Sequence, residues 1–322
     1  MIKILTEGGH NYGFGHITRC LSLVNYCHKN NIECQIYIDG DESTAEIIKE
    51  YRGVLINWKS SSFIKENINS TDVIFTDSYT ATLKHYEIIR ERSNKLLIID
   101  DLFRLPYSGY TIINPNFFAD LLPCADHQNE YLYGEQYILI RNEFIGHKNN
   151  ILGKEVKRVL VTFGGSDVLT LTPRIISYLI SLDSKVKIDV VIGFGYTNLA
   201  EIKSVSNQQV SLHYNVSAIQ MVKLMKEVDF GICGAGQTVN EMLKVGCPGC
   251  FIKVVDNQQA NIDYFNKSKR GLIFNENDLS NINEMYKYEV RKNIKQELNK
   301  IKNNNSGAAE LFRYIEVSQN GK

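Results

Sequence analysis

The chain lacks an excess of charge of either sign, because 36 lysines and arginines balance 36 aspartates and glutamates. A neutral chain has no global electrostatic attraction for nucleic acid or anionic lipid. It also lacks any apolar run near the roughly 20 residues that a membrane-spanning helix needs. The first residues reach Glu7 too soon for a signal peptide. We therefore expect a cytoplasmic protein with no nucleic-acid partner and no membrane span, and the sequence allows a monomer.

A disulfide framework is not expected, since the seven cysteines are odd in number and scattered along a chain of 322 residues. Cys247 and Cys250 have the spacing of a redox motif, but they lie between a predicted helix and a predicted strand. The chain has no second cysteine pair for zinc, and its histidines are dispersed. We predict neither a metal site nor a cofactor.

The sequence is rich enough in hydrophobic residues, at 43%, to form a packed core. Short β-branched runs alternate with amphipathic stretches, which is typical of parallel βαβ units. A polar segment at 146–150 separates two such series, so we predict an α/β protein with domains at 1–146 and 147–322, the C-terminal helices belonging to the second. Predicted strands cover residues 2–5, 33–38, 73–75, 96–99, 159–163, 188–192, 210–214, 230–233, 251–255 and 272–274. The main predicted helices cover residues 17–27, 44–51, 84–92, 172–182 and 239–245.

A glycine-rich turn, Gly13-Phe14-Gly15-His16, follows the first predicted strand and opens a helix. Glycines allow a ligand to approach the backbone, and a helix N-terminus offers N–H groups to an anion. Thr18 stands where a dinucleotide-binding fingerprint needs its third glycine, so that interpretation is weak. A neutral imidazole at His16 could act as a general base, although a capping or solvated histidine is the simpler alternative.

Two further glycine turns follow strands of the second series. Gly164-Gly165-Ser166-Asp167 fits a ligand loop or a plain connection in which Ser166 or Asp167 caps the next helix. In the other turn, residues 233–238 read CGAGQT, and we place Glu241 in the first turn of the following helix. Its carboxylate could accept hydrogen bonds from a ribose diol, or it could simply complement the helix dipole.

Polar residues also stand at predicted strand ends, where open α/β sheets place ligand groups. Asp77 and the pair Asp100-Asp101 could orient His16 or a water molecule, or each could cap the segment that follows it. Asn257 and Gln258 could contact ligand hydroxyls, or they could belong to an N-cap.

Residues 13–20, GFGHITRC, closely resemble the Gly-x-Gly-His-x-x-Arg-Cys signature of the nucleotide-sugar hydrolases of pseudaminic acid synthesis. These enzymes are the UDP-2,4-diacetamido-2,4,6-trideoxy-β-L-altropyranose hydrolases, and they are related to spore-coat polysaccharide proteins and MurG-like transferases. The likeness runs through most of the chain. Its other segments are Asp77-Ser78-Tyr79, Asp100-Asp101, Asn114-Pro115-Asn116, residues 137–144, Phe163 to Asp167, and residues 236–248 with Asn257-Gln258.

The resemblance implies a GT-B architecture, with two Rossmann-like domains facing a central cleft and UDP held by the C-terminal domain. It also implies hydrolysis of the bond between the anomeric carbon and UDP without a metal, water attacking with inversion. The implied catalytic residues are His16, as general base, with Asp77 and Tyr79. The implied substrate-binding residues are Gly13, Gly15, Arg19, Asp100, Asn116, Asn257 and Gln258. The implied UDP-binding residues are Gly164, Gly165, Ser166, Gly236, Gln237, Thr238 and Glu241.

The first loop departs from this family. Residues 6–10 read TEGGH where the family usually has Arg-x-Asp, so another UDP-linked hexose would also fit. The main alternative is a GT-B glycosyltransferase in surface polysaccharide or flagellar glycan synthesis, in which His16 deprotonates an acceptor hydroxyl. A non-catalytic nucleotide-sugar binder and a dehydrogenase are further alternatives, the last disfavoured by the incomplete fingerprint.

Overall fold

The computed structural model describes residues 1–9, 13–44, 49, 51–122 and 127–320. These residues form two compact units, Met1–Asn142 with Asn305–Lys322, and Glu143–Asn304. The boundary lies close to the predicted linker, but the last segment of the chain joins the first unit rather than the second. Most of the helix predicted at 44–51 lies outside the described residues, as does His10 of the first loop.

The first unit is built on parallel strands joined by helices. The strands are β1 (Ile2–Gly8), β2 (Cys34–Gly40), β3 (Val54–Leu55), β4 (Val73–Asp77), β5 (Lys95–Ile99), β6 (Thr111–Asn114) and β7 (Glu130–Tyr133). They form one sheet in the order β3-β2-β1-β4-β5-β6-β7. The helices between them are α1 (Gly15–Lys29), α2 (Ser61–Asn67) and α3 (Leu83–Arg92). The strand order reverses at β1 and β4, which is the topological switch point where such sheets bind ligands.

The second unit repeats this plan. Its strands are β8 (Arg158–Thr162), β9 (Lys187–Ile192), β10 (Val210–Tyr214), β11 (Phe230–Gly234), β12 (Gly249–Ile252) and β13 (Leu272–Ile273), in the order β10-β9-β8-β11-β12-β13. Its helices are α4 (Leu171–Leu182), α5 (Leu199–Val205), α6 (Ala218–Glu227), α7 (Gln237–Val245), α8 (Gln259–Ser268), α9 (Asn281–Glu284) and α10 (Tyr288–Leu298). All pairings in this sheet are parallel, with the switch point between β8 and β11.

Successive residues of β1 point to opposite faces of the first sheet. Ile4 belongs to a buried cluster with α1, and Leu5 belongs to the cluster on the other face, around Trp58. The last helix, α11 (Gly307–Asn320), adds Leu311 and Phe312 to the Ile4 cluster. This apolar contact explains why α11 belongs to the first unit, since burial of its apolar face stabilises that unit.

No helix in the described part of the chain is long and apolar enough to span a membrane.

Candidate functional site

Five polar residues lie at or just beyond the carboxyl ends of neighbouring strands in the first sheet. They are Glu7 on β1, Asp77 on β4, Asp101 after β5, and Asn114 and Asn116 at the end of β6. Each is at most 8% exposed. Their cluster surrounds the first turns of α1, which carry His16 and Arg19.

His16 is oriented by Asp77. Its Nδ1 atom lies 2.6 Å from Asp77 Oδ1, and both side chains are buried. Arg19 Nη2 lies 3.1 Å from the same Nδ1 and donates to Asp77 Oδ1 at 2.6 Å. A carboxylate can only accept, so the geometry favours a proton on Nδ1 that is donated to Asp77. The lone pair of the neutral ring then lies on Nε2, the nitrogen that a general base uses.

Asp77 is kept ionised by the charge of Arg19 and by the hydrogen bonds that it accepts from Arg19 and His16. Burial alone would raise the pKa of Asp77, but the Arg19 guanidinium and His16 outweigh it and hold that pKa well below its usual range. Arg19 approaches the carboxylate with two nitrogens, Nε and Nη2, each at 2.6 Å. Such a bidentate pair fixes orientation as well as charge.

Arg19 joins Asp77 to Asp101. Its Nη1 atom donates to Asp101 at 2.7 Å (Oδ1) and 2.9 Å (Oδ2), so all three guanidinium nitrogens contact carboxylates. The pKa of Arg19 is raised, because these two aspartates outweigh the effect of burial. In the structure Arg19 holds the two aspartates together, and the contact with substrate that the resemblance implied stays a prediction.

Tyr79 is brought against His16 by Asp101. The Tyr79 hydroxyl donates to Asp101 Oδ2 at 2.8 Å, and Asn116 Nδ2 donates to Asp101 Oδ1 at 2.6 Å. The rings of His16 and Tyr79 meet edge to face, with centroids 4.5 Å apart. The structure therefore brings together His16, Tyr79, Asp77, Arg19 and Asn116 of the sequence-predicted residues.

Asp100 differs from its neighbour Asp101. Its carboxylate accepts the backbone N–H groups of Leu102 (2.9 Å) and Arg104 (3.1 Å) and the hydroxyl of Tyr107 (2.6 Å). These bonds cap the turn after β5. Asp101 is the member of the pair whose carboxylate enters the cluster, and the substrate-binding role of Asp100 stays a prediction.

Glu7 was not among the predicted site residues. It accepts hydrogen bonds from the Tyr79 N–H (2.6 Å), the Ser78 hydroxyl (2.5 Å) and the Thr80 hydroxyl (2.7 Å). Burial would raise the pKa of Glu7, but these hydrogen bonds lower it overall. Glu7 thereby fixes the loop that carries Tyr79. Its position at the carboxyl end of β1 was the available signal.

The N-terminus of α1 follows a glycine with a left-handed backbone. Gly13 has a φ of 71°, and among the described residues, which do not include 10–12, a Cβ atom built on Gly13 or Gly15 would meet nothing within 4 Å. The helix has no side-chain cap and no acidic residue in its first turn. Its first N–H groups and the helix dipole can therefore favour an anion or another acceptor.

The Gly164-Gly165-Ser166 turn in the second unit is open, but the helix after it is capped. Gly164 has a φ of 73° and space for a Cβ atom. Asp167 accepts the N–H groups of Leu171 (2.9 Å) and Thr172 (2.8 Å) at the start of α4. Of the two expected caps, Asp167 is the one observed. An anion at this turn would contact the loop rather than the end of α4.

The helix that follows the Gly236 turn has no side-chain cap at its N-terminus. Gly236 precedes α7, which has no side-chain cap and no acidic residue in its first turn, and Gln237 and Thr238 are half-buried there. The Gln258 side chain lies beside this turn, with Nε2 3.2 Å from a Cβ built on Gly236 and Oε1 accepting the Val254 N–H at 2.9 Å. Gly236, Gln237, Thr238 and Gln258 are thus brought together. Asn257 is exposed in the adjacent helical turn.

Glu241 lies further into its helix than expected. The helix begins at Gln237, two residues before the predicted start, so Glu241 falls in the second turn. Its side chain is buried, at 2% exposure. A helix-dipole role is weakened by this position, because the dipole effect is confined to the terminal turn.

Cys247 and Cys250 are free and fully buried, and burial raises the pKa of the Cys247 thiol to about 12. Among the described residues, no group of three or more His, Cys, Asp or Glu side chains could hold a metal ion.

A surface cavity of about 1250 Å³ lies at the amino ends of β8 and β9, where Arg158 already contacts Asp189 and Glu227. That edge is opposite to the glycine turns.

Two parallel-sheet Rossmann-like units define the GT-B class of fold. The crystal structure of Acinetobacter baumannii MurG has this fold and matches with a TM-score of 0.67 at 12% identity, over 98% of this chain and 99% of that one. At this identity the similarity demonstrates the fold alone.

Sequence comparisons identify more specific relatives. Residues 158–315 match the model of the Glycosyltransferase family 28 C-terminal domain. An uncharacterized protein of Methanocaldococcus jannaschii is 31% identical over 270 residues, 77% of this chain and 54% of that protein. The Helicobacter pylori pseudaminic acid cytidylyltransferase and UDP-2,4-diacetamido-2,4,6-trideoxy-beta-L-altropyranose hydrolase is 24% identical over 264 residues, 80% of this chain and 45% of that protein. The resemblance to these hydrolases is thereby confirmed, and the chain spans about half the length of these two relatives.

Proposed function

We propose that the protein is a nucleotide-sugar hydrolase that releases UDP from a UDP-linked 2,4-diacetamido-2,4,6-trideoxyhexose in nonulosonic (pseudaminic) acid synthesis. The observation that carries the proposal is the contact of 2.6 Å between His16 Nδ1 and Asp77 Oδ1. It orients the imidazole so that Nε2 is the nitrogen left to accept a proton, as a general base requires. The similarity to the Helicobacter pylori enzyme supports the choice of substrate.

In the proposed reaction, His16 Nε2 accepts a proton from water as the water oxygen attacks the anomeric carbon. The bond from that carbon to the diphosphate oxygen breaks, and UDP departs with the electron pair. Attack opposite to the leaving group inverts the anomeric configuration. The ionised Asp77 stabilises the imidazolium that forms, without accepting its proton. No step requires a metal ion.

We assign the UDP moiety to the second unit. The uncapped N-terminus of α7 offers N–H groups to the departing diphosphate, and such preorganised donors often dominate catalysis of this kind. Gln258 adds an amide beside the same turn. Glu241 is the carboxylate that we assign to the ribose hydroxyls, and Gly164, Gly165 and Ser166 form the second loop of this proposed subsite.

Incubation with UDP-2,4-diacetamido-2,4,6-trideoxy-β-L-altropyranose, without metal or acceptor, tests the proposal when followed by NMR. We expect release of UDP and a free sugar whose anomeric configuration is first inverted relative to the substrate. A protein that binds UDP tightly and releases no sugar would contradict hydrolysis of this compound.

A glycosyltransferase is the second candidate, because the matched domain model is that of a glycosyltransferase family. His16 would then deprotonate an acceptor hydroxyl in place of water, using the same Nε2 lone pair. An acceptor screen with the same donor separates the two candidates. UDP release that depends on an added sugar or glycan acceptor would favour the transferase, and release at an equal rate in its absence would favour the hydrolase.

A further inference from the structure

Tyr79 is held at two points. Its backbone N–H donates to Glu7 Oε1 at 2.6 Å, and its hydroxyl donates to Asp101 Oδ2 at 2.8 Å. Its ring rests edge to face on His16. The phenol is therefore fixed beside the proposed base. The direction of its hydrogen bond to Asp101 decides whether the phenolic oxygen can act toward a substrate as a donor or only as an acceptor.

The phenolic proton of Tyr79 is donated to Asp101 in a hydrogen bond. Asp101 also accepts two bonds from Arg19 Nη1 and one from Asn116 Nδ2. An ionised carboxylate has no proton to donate, so the phenol must be the donor in this pair. Burial and the negative charge of Asp101 raise the pKa of Tyr79, which keeps the phenol protonated.

We propose that Asp101 is a positioning residue that orders the phenolic proton of Tyr79, so that the Tyr79 oxygen meets the substrate only as a hydrogen-bond acceptor. The group that it contacts is then a donor, namely a hydroxyl or the N–H of an acetamido group on the sugar. This inference rests on the proposed function for the identity of the substrate. It also excludes Tyr79 as the acid that protonates the departing diphosphate, because its one proton is held by Asp101.

The chain provides a matched control. The adjacent carboxylate, Asp100, accepts the hydroxyl of a different tyrosine, Tyr107, at 2.6 Å. Two neighbouring aspartates thus hold two phenols independently. Replacing either one changes the charge by the same amount at almost the same place in the chain.

The test labels the full-length protein with tyrosine carrying ¹³C at the ring carbon bonded to oxygen. Tyr79→Phe and Tyr107→Phe assign the two resonances. At pH 7.5 we expect Asp101→Asn to shift the Tyr79 resonance and to leave that of Tyr107 in place, and Asp100→Asn to do the reverse. An unmoved Tyr79 resonance in Asp101→Asn would overturn the proposal, as would equal movement in both variants.

The wild-type protein supplies a measurement that does not depend on the folding of a variant. A phenol that donates to a carboxylate resists ionisation, so the Tyr79 resonance should not titrate between pH 7 and 11. Unconstrained tyrosines titrate near pH 10. A titration midpoint near pH 10 for the Tyr79 resonance would contradict a phenolic proton held in a hydrogen bond to Asp101. Asp101→Glu should keep the resonance close to its wild-type position.

Turnover of the UDP-2,4-diacetamido sugar tests the catalytic consequence. Tyr79→Phe and Asp101→Asn should each lower kcat/KM by about 10- to 100-fold, and the double variant should lose little more than either single variant. If the losses in kcat/KM of the two single variants add fully in the double variant, the proposal that Asp101 acts through Tyr79 is overturned. If the wild-type protein releases no UDP, the proposed function fails, while the NMR pattern still decides whether Asp101 orders Tyr79.

Discussion

Asp77 Oδ1 lies 2.6 Å from both His16 Nδ1 and Arg19 Nη2, so one carboxylate oxygen holds the imidazole and the guanidinium together. The relationship between Asp77 and His16 depends on the helical spacing of His16 and Arg19. Residues three apart on α1 share one face, and that face meets the end of β4. The orientation of the proposed base therefore follows from the packing of one helix on one strand.

Replacement of His16 should slow the hydrolysis without changing the affinity of the protein for UDP. We expect His16→Ala to lower kcat by about 10²- to 10⁴-fold, because the variant lacks the proposed base that takes the proton of water. UDP affinity, measured by calorimetry, should stay within about twofold of the wild-type value. His28→Ala is a suitable control, since His28 is exposed in the last turn of the same helix. Equal turnover in the two variants would remove His16 from the reaction.

Replacement of Asp77 should act through the tautomer of His16. In Asp77→Asn the new amide can donate to Nδ1, which would move the imidazole proton to Nε2 and remove the basic lone pair there. We expect kcat to fall by about 10²- to 10⁴-fold. The melting temperature should also fall, because Arg19 loses a buried carboxylate partner.

A second buried aspartate separates these two effects. Asp72 precedes β4 at its amino end and contacts Lys3 Nζ at 2.6 Å. Asp72→Asn should lower the melting temperature and leave kcat near the wild-type value. If Asp77→Asn and Asp72→Asn reduce stability alike and neither changes kcat, the contact of Asp77 with His16 is structural only.

The alternation of strands and helices made the fold predictable. The predicted strand at 210–214 is observed as Val210–Tyr214, and the helix predicted at 17–27 extends by two residues at each end. Strands β3, β6 and β7 were missed, and β3 has only two residues. β6 has only four residues, and β7 lies at the sheet edge with a polar sequence, so neither has the long apolar run that identifies a buried strand.

The site was predictable in its residue types but not in its contacts. The sequence placed acidic residues at strand ends, yet it could not distinguish Asp100 from Asp101. Their roles depend on the backbone turn after β5, which directs one carboxylate to Tyr107 and the other to Arg19. Glu7 was missed because its partners lie more than 70 residues away, in a loop that only the pairing of β1 with β4 brings near.

Replacement of Glu241 should weaken nucleotide binding. We expect Glu241→Ala to raise the Kd of UDP by about tenfold or more, since a carboxylate that accepts from a ribose diol makes charge-assisted hydrogen bonds. Calorimetry with UDP alone measures this effect without the sugar. Glu201→Ala, at an exposed position in the first turn of α5, is the control. An unchanged Kd in Glu241→Ala would place the ribose elsewhere.

Removal of metal ions should leave turnover unchanged. The proposed reaction uses His16 as base and helix N–H groups as diphosphate donors, so no step needs a cation. We expect the same rate of UDP release before and after dialysis against EDTA, measured by NMR. A rate that falls with EDTA and recovers with added Mg²⁺ would require a revised mechanism for the departure of UDP.

Lys295 should make the stability of the second unit depend on pH. This lysine of α10 is 6% exposed and donates to the Asn149 side chain and to the Ile151 carbonyl at 3.2 Å. Burial lowers its pKa from 10.5 to about 8, although nearby Cys247 and Asp229 oppose the shift. Between about pH 8 and 10.5 the unfolded chain holds a proton that the folded chain has lost, so stability rises with pH across this window.

Lys295→Met removes that dependence. Relative to this variant, the wild-type protein should gain up to about 3 kcal/mol of unfolding free energy as pH rises from 7 to 10.5. Urea unfolding followed by circular dichroism at several pH values measures the gain. Lys292→Met, at a partly exposed position of the same helix, should behave as wild type. A pH profile that Lys295→Met leaves unchanged would mean that Lys295 stays charged in the folded protein.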